Sequence, residues 1–247
     1  SVRDRRRALH IRPHLRQLDT LAGEHPAQTN YLYLTYSATA DDGGPPEVPH
    51  VLLLGSGCYR IGSSVEFDYC CVAAASAARE LGQPVTLVNC NPETVSTDYD
   101  LCDRLIFDEV SLEVVLDLWE LHQSWGQPFV GVLGAMGGQT PNRLAVPLHQ
   151  AGVKLLGTTA ESIDKAEDRA RFSALCDTLH IDQPRWTTAT AVADIDQAAH
   201  ALGRACDIPA CAVQVQHDGR HGRGGVIGAP GRVPQTMQLD RFARESG

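Results

Sequence analysis

The sequence has no apolar run of about 18 residues, so nothing in it reads as a membrane span. Its eight cysteines include no CxxC pair, and a zinc-ribbon or thioredoxin-type site needs that unit. GxSxG, HExxH, Walker A and EF-hand patterns are all missing. Their absence removes the usual sequence handles for a serine hydrolase, a zinc peptidase, a P-loop NTPase and a calcium sensor. The ten histidines show no i, i+4 ligand pairing; His217 and His221 are four apart, but Gly219 and Gly222 argue against a helix there. Net positive charge is also lacking. The formal total of −9 argues against a dedicated nucleic-acid binder.

What is present suits a folded protein. The chain has 247 residues, 43% hydrophobic and 21% charged. That is enough for one large domain or two modest ones with a real core, and it excludes disorder as the overall state. The charge is uneven: residues 1–16 carry +5, residues 17–203 carry −16, and residues 204–247 carry +2. The cysteines stand at 58, 70, 71, 90, 102, 176, 206 and 211. Most lie in apolar or helical stretches and read as reduced, buried thiols of a cytoplasmic protein. The chain begins at Ser1, not Met, and reads as a fragment whose ends carry no targeting information.

The chain opens with a prelude, 1–40, in which His10–Ala22 reads as a short helix and Asn30–Tyr36 as β-prone. Residues 41–48, dense in Gly and Pro, read as a linker. From His50 strands and helices alternate. Strands are expected at 51–54, 85–88, 105–107, 129–133 and 153–156. Helices are expected at 66–81, stopped by Gly82, and at 112–122, capped by Ser111. Another should open at Thr140 as cap with Pro141 in the first turn, and Gly152 should close it. Continuous apolar strands between helices predict an α/β fold, a doubly wound, mostly parallel sheet covered on both faces. This domain spans 49–158. Further helices are expected at Ala166–Leu179 and Val192–Leu202. From Gln214 onward Gly, Arg, His and Gln lose any period, and the segment reads as a poorly ordered tail.

Four motifs carry chemical potential. Gly55-Ser56-Gly57-Cys58-Tyr59-Arg60-Ile61-Gly62 lies between a strand and a helix. It suits either a tight turn or an anion at a helix N-terminus. A dinucleotide fold would want its third Gly three residues after the second, and an acid after the next strand. Here the third Gly comes five residues after, and the second strand ends in Asn89-Cys90-Asn91. Asn89 to Asp100 is rich in short hydrogen-bonding side chains past a strand end, and suits a ligand loop or a capped surface loop. Met136-Gly137-Gly138-Gln139-Thr140-Pro141-Asn142 is again a strand-to-helix turn. Ile163 to Phe172 places Arg169 and Arg171 two apart on a helix, on different sides, as a solvated face or a phosphate contact.

Taken together, these motifs resemble one family. Gly-Ser-Gly-x-Tyr-Arg-Ile-Gly-Ser-Ser-Val-Glu-Phe-Asp, Val-Asn-x-Asn-Pro-Glu-Thr-Val-Ser-Thr-Asp-Tyr-Asp, Gly-Gly-Gln-x-Pro-Asn and Ile-Asp-x-Ala-Glu-Asp-Arg occur in that order. The pattern is similar to the large synthetase component of carbamoyl phosphate synthetase, over roughly residues 10–211. The second motif is similar to the second of that enzyme's two ATP-using units. The prelude resembles the end of the segment joining those units, in the version found in animal multifunctional pyrimidine-synthesis proteins.

The resemblance implies a pre-ATP-grasp, Rossmann-like domain at 49–158 and the incomplete start of an ATP-grasp domain at 159–213, followed by a divergent tail at 214–247. It implies a glutamine-dependent ATP ligase that makes carbamoyl phosphate from bicarbonate, with this half phosphorylating carbamate. Its partners would be ATP, carbamate, a glutamine amidotransferase domain or subunit and the other synthetase domains, with no nucleic acid and no membrane. Its cofactor metal would be Mg²⁺ or Mn²⁺. Arg169 matches an ATP-contacting Arg, and a guanidinium suits phosphate because it donates in a planar fork. Gly62, Ser63 and Ser64 match a loop bordering the internal carbamate channel. Two departures stand out. Cys58 replaces a Pro common among relatives. Gln214 to Gly219 replaces the Arg-Pro-Ser-Tyr run, so the second ATP-binding Arg, the phosphate loop and the metal carboxylates are absent from this chain. Phosphoryl transfer rests on those groups, so no catalytic residue is assigned and the chain alone is expected to be inactive. The rival readings are a non-catalytic module docking on synthetase domains and an NAD-binding oxidoreductase.

Overall fold

Val51-Leu52-Leu53-Leu54 has no polar break, and all four residues are buried. A strand buried on both faces must lie inside a sheet with cover on each side. The computed structural model describes residues 2–26, 29–58, 65–184, 186–189 and 212–215, and there this strand, β3 (Val51–Leu54), lies inside a six-stranded sheet. The others are β1 (His14–Gln17), β2 (Tyr31–Thr35), β4 (Val85–Asn89), β5 (Arg104–Phe107) and β6 (Gly131–Leu133). The order is β1-β2-β5-β4-β3-β6; only β1 and β2 pair antiparallel. The register sets Leu54 beside Val88, and Val88 beside Ile106.

Side chains alternate between faces. Leu53, Leu87 and Leu105 pack with Cys71 and Ala75 of α2 (Val65–Glu80). Leu52, Leu54, Val88 and Ile106 pack with Val115, Leu118 and Leu121 of α3 (Leu112–Ser124) and with Leu148. The expected α/β sheet with both faces covered is therefore present. Gly82, at φ +74°, ends α2, and the N–H of Gln83 returns to the Ala78 carbonyl at 2.9 Å. The Ser111 hydroxyl caps α3 by accepting from the Val114 N–H.

Several local expectations are corrected. His10–Ala22 is not a helix. Its centre is β1, whose buried Leu15 sits opposite Leu34, so a non-local partner overrides local propensity. The helix lies earlier, at α1 (Val2–Ala8), where Arg3, Arg6 and Arg7 pair with Asp117, Glu113 and Glu120 of α3. Residues 41–42 do more than link. Asp41 accepts the Leu15 N–H at 2.8 Å and Asp42 accepts the Gln17 N–H at 3.1 Å.

Thr140 is not a cap. Gly138, at φ +76°, takes the turn two residues earlier and opens α4 (Gln139–Asn142). A separate α5 (Ala145–Gln150) follows, because Pro147 has no N–H to continue one helix. Only Gly131–Leu133 of the expected 129–133 strand is β, and residues 153–156 contribute a single bridge, Val132 to Leu155. The expected 166–179 helix is two helices. Thr159 caps α6 (Ala160–Glu167), and extended Asp168 separates it from α7 (Arg169–Thr178).

The chain divides into two units, 1–169 and 170–247. In the second, β7 (Trp186–Ala189) pairs parallel with β8 (Ala212–Val215), so Gln214 and Val215 are strand, not tail. The expected helix at Val192–Leu202 and the remainder of the tail lie outside the described residues. No helix among the described residues is long and apolar enough to cross a membrane.

Candidate functional site

Parallel strands in an α/β sheet present their turns at the carboxyl edge, where the loops of successive units meet. Three of the four motifs meet there. β3 and β4 are neighbours, so Gly55-Ser56-Gly57 and Asn89 emerge side by side, and β6 delivers Gly137 and Gly138 from the other flank of β3.

Asn89 is fully buried and joins the first two motifs. Its side-chain oxygen accepts the N–H of Gly57 at 3.1 Å and of Cys90 at 2.9 Å, and its amide donates to the Ser96 hydroxyl at 3.3 Å. The Ser96 N–H then donates to the carboxylate of Asp68 at 3.1 Å, on the first turn of α2. Thr97 folds the same loop inward, its hydroxyl donating to the carbonyls of Asn91 and Thr94.

Two glycines are required by close approach. A Cβ on Gly55 would lie 2.6 Å from the Asn89 side chain, and one on Gly137 would lie 2.6 Å from the Gly55 carbonyl oxygen. Gly57, at φ +74°, turns against the methyl of Thr140. The Asn142 amide donates to the Glu167 carboxylate at 3.0 Å, which brings the fourth motif to the third.

This arrangement supports the turn reading of the Gly-rich segment in its described part. The Gly57 N–H is committed to Asn89, and Asp68 places a carboxylate at the start of α2. A negative side chain already satisfies the helix dipole there. Gly55–Gly57 forms a turn that shapes the sheet edge.

Of the site residues expected from the sequence, Arg169 opens α7 and is exposed, two residues beyond Glu167. Gly62, Ser63 and Ser64 lie outside the described residues. Among the described residues no group of three or more His, Cys, Asp or Glu could hold a metal ion. The donor set of the described residues therefore does not fit a divalent cation.

The sequence reading missed the thiols at this edge. Cys58 is exposed, and Cys90 is only half-buried, against the expectation of buried thiols throughout. Their sulfurs lie 3.3 Å apart. Burial, and then the contact with Cys58, push the Cys90 thiol up to about 11. The available signal was position: each cysteine follows the end of one of two adjacent strands.

The interlocked edge is matched by a family model, described as the carbamoyl phosphate synthase preATP-grasp domain, over residues 47–165. Residues 47–165 belong to the carbamoyl phosphate synthase family. Similarity to its members runs wider than that domain. The chain is 52% identical over 186 residues to multifunctional protein CAD of Squalus acanthias, covering 75% of this chain and 8% of that one. It is 48% identical over 205 residues to the carbamoyl phosphate synthase large chain of Hyperthermus butylicus, covering 82% and 19%. It is 46% identical over 203 residues to the mitochondrial arginine-specific large chain of Schizosaccharomyces pombe, covering 82% and 17%. The chain thus spans less than a fifth of the length of these relatives. The carbamoyl phosphate synthase resemblance read from the four motifs is confirmed, together with the mostly parallel pre-ATP-grasp fold.

Proposed function

We propose that this chain is a segment of a glutamine-dependent carbamoyl phosphate synthetase, an ATP-dependent carbon–nitrogen ligase. It contributes the pre-ATP-grasp domain of the second synthetase unit and the opening of the ATP-grasp domain that phosphorylates carbamate. The supporting observation is the carboxyl edge of the sheet, where Gly55, Asn89 and Gly137 interlock within the stretch that matches the family.

In this reading the domain is a platform. By the resemblance, Gly62, Ser63 and Ser64 border the passage for carbamate. Small side chains there leave room for a small anion. Arg169 contacts ATP, its planar guanidinium suited to a phosphate oxygen pair. ATP supplies the phosphoryl group. Mg²⁺ or Mn²⁺ is held elsewhere in the parent enzyme, together with the remaining charge-neutralising groups that phosphoryl transfer needs. The amidotransferase and the other synthetase domains are the partners, in pyrimidine synthesis. The free thiols of the described cysteines favour the reducing cytoplasm as the compartment.

The chain by itself does not turn over. Incubation with ATP, Mg²⁺, bicarbonate and ammonia, with carbamoyl phosphate trapped as a stable derivative, should yield no product. Restoring the natural continuation of the ATP-grasp domain should restore carbamate phosphorylation, and Arg169→Ala should then lower it by tenfold or more, mainly through KM for ATP. Product from the 247-residue chain alone would overturn the reading.

A further inference from the structure

The Cys58 and Cys90 sulfurs lie 3.3 Å apart, at hydrogen-bond distance for thiols and without a bond. They lie in the turns that follow two neighbouring parallel strands, four residues past Leu54 and two past its partner Val88. The backbone on both sides is fixed: Asn89 holds the N–H of Gly57, the residue before Cys58, and the N–H of Cys90 itself. Forming a disulfide requires sulfurs about 2.0 Å apart. The sulfurs need to approach by little more than about 1 Å, a displacement on the scale of a side-chain rotation.

The two thiols differ in access. Cys58 is exposed, whereas Cys90 is half-buried behind it. An incoming reagent therefore meets Cys58 first and finds a second thiol within reach. From these observations we propose that Cys58 and Cys90 form a redox-modifiable dithiol, oxidised to an intramolecular disulfide by low-molecular-weight disulfides of the glutathione type.

The exchange balances in two steps. The Cys58 thiolate attacks one sulfur of the external disulfide, and the external S–S bond breaks to release one thiolate. Cys90, having lost its proton to solvent, attacks the Cys58 sulfur of the mixed disulfide and expels the second external thiolate. Both released thiolates take up the protons lost by the cysteines. The protein pair is oxidised by two electrons, and the external disulfide is reduced to two thiols. Burial holds the Cys90 thiol above its ordinary value, so the second step speeds up as pH rises. The product would tie the turn after β3 directly to the loop after β4. The proposal stands on this geometry alone and does not depend on the parent activity.

The test is to equilibrate the full chain in buffers of reduced and oxidised glutathione, block free thiols with iodoacetamide, and map peptides without reduction. The expected result is a peptide joining Cys58 to Cys90, with both residues losing alkylation together. Cys90→Ser should leave Cys58 carrying a stable glutathionyl group, which the unaltered chain does not accumulate. The proposal fails if the unaltered chain keeps glutathione on Cys58 while Cys90 remains alkylated. It also fails if Cys58 and Cys90 are found joined only to other cysteines.

Discussion

The side-chain oxygen of Asn89 accepts the backbone N–H of Gly57 at 3.1 Å across 32 positions of sequence. One amide thereby fixes the spacing between two loops that the sequence keeps far apart. The same oxygen takes the N–H of Cys90, and the amide nitrogen donates to Ser96. Asn89→Ala leaves buried donors without partners, and each costs about 1–3 kcal/mol. The expected loss is about 3 kcal/mol, read as a fall in the urea midpoint at an unchanged slope. A loss under about 1 kcal/mol would mean that water takes over the role of the amide.

Gly137 and Gly44 make a matched pair for testing the close approach at the sheet edge. A Cβ on Gly137 would meet the Gly55 carbonyl oxygen at 2.6 Å and Pro141 at 2.5 Å, whereas a Cβ on Gly44 meets nothing within 4 Å. Gly137→Ala should destabilise by at least about 2 kcal/mol, since backbone on one side and a proline ring on the other give little room. Gly44→Ala should change stability by less than about 0.5 kcal/mol or raise it slightly. Equal effects from the two, measured by thermal unfolding, would contradict the packing described.

His122 gives the fold an acid limb. It is fully buried, stacked on Phe129 with ring centroids 3.8 Å apart and tilted against Trp125. Burial foremost, then the charges of Arg104 and His50, lower its pKa to about 3. The unfolded chain titrates this ring near 6.5 and so binds the proton more readily than the folded one. Stability is complete above about pH 6.5 and declines as pH falls from there toward about 3. Burial also lowers the pKa of His50, which adds in the same direction. His122→Phe should flatten the decline by up to about 1.4 kcal/mol per pH unit over that window. Parallel stability curves for the two proteins between pH 6 and 4 would show that His122 does not carry the effect.

Much of the sheet was legible because its central strands are mainly apolar runs. Val51–Leu54 needs no partner to be recognised, and Val85–Val88 reads as a strand despite Thr86, with Asn89 added to it in the structure. In the prelude β2 was legible as the β-prone Asn30–Tyr36, but β1 was not, because it is strand only by virtue of Leu34 and its neighbours on β2. A local reading of His10–Ala22 carries no trace of that pairing. The position of α1 had a cue in the acids at 113, 117 and 120, which lie on one face of α3 and receive the arginines of α1. At the candidate site the motif residues were visible as a set. The link made by Asn89 was not, since it depends on which strands are neighbours. The break at Asp168 was hidden by good helix formers on both sides, and it makes Arg169 the first residue of a helix instead of a mid-helix position.

The two aspartates beside β1 bear on self-association. In an antiparallel edge strand alternate N–H groups point away from the sheet. In β1 those outward donors are Leu15 and Gln17, and Asp41 and Asp42 accept both. A strand from a second molecule would find its hydrogen-bonding positions already filled and two carboxylates in its path. The segment that reads as a linker therefore serves as a guard against edge-to-edge polymerisation.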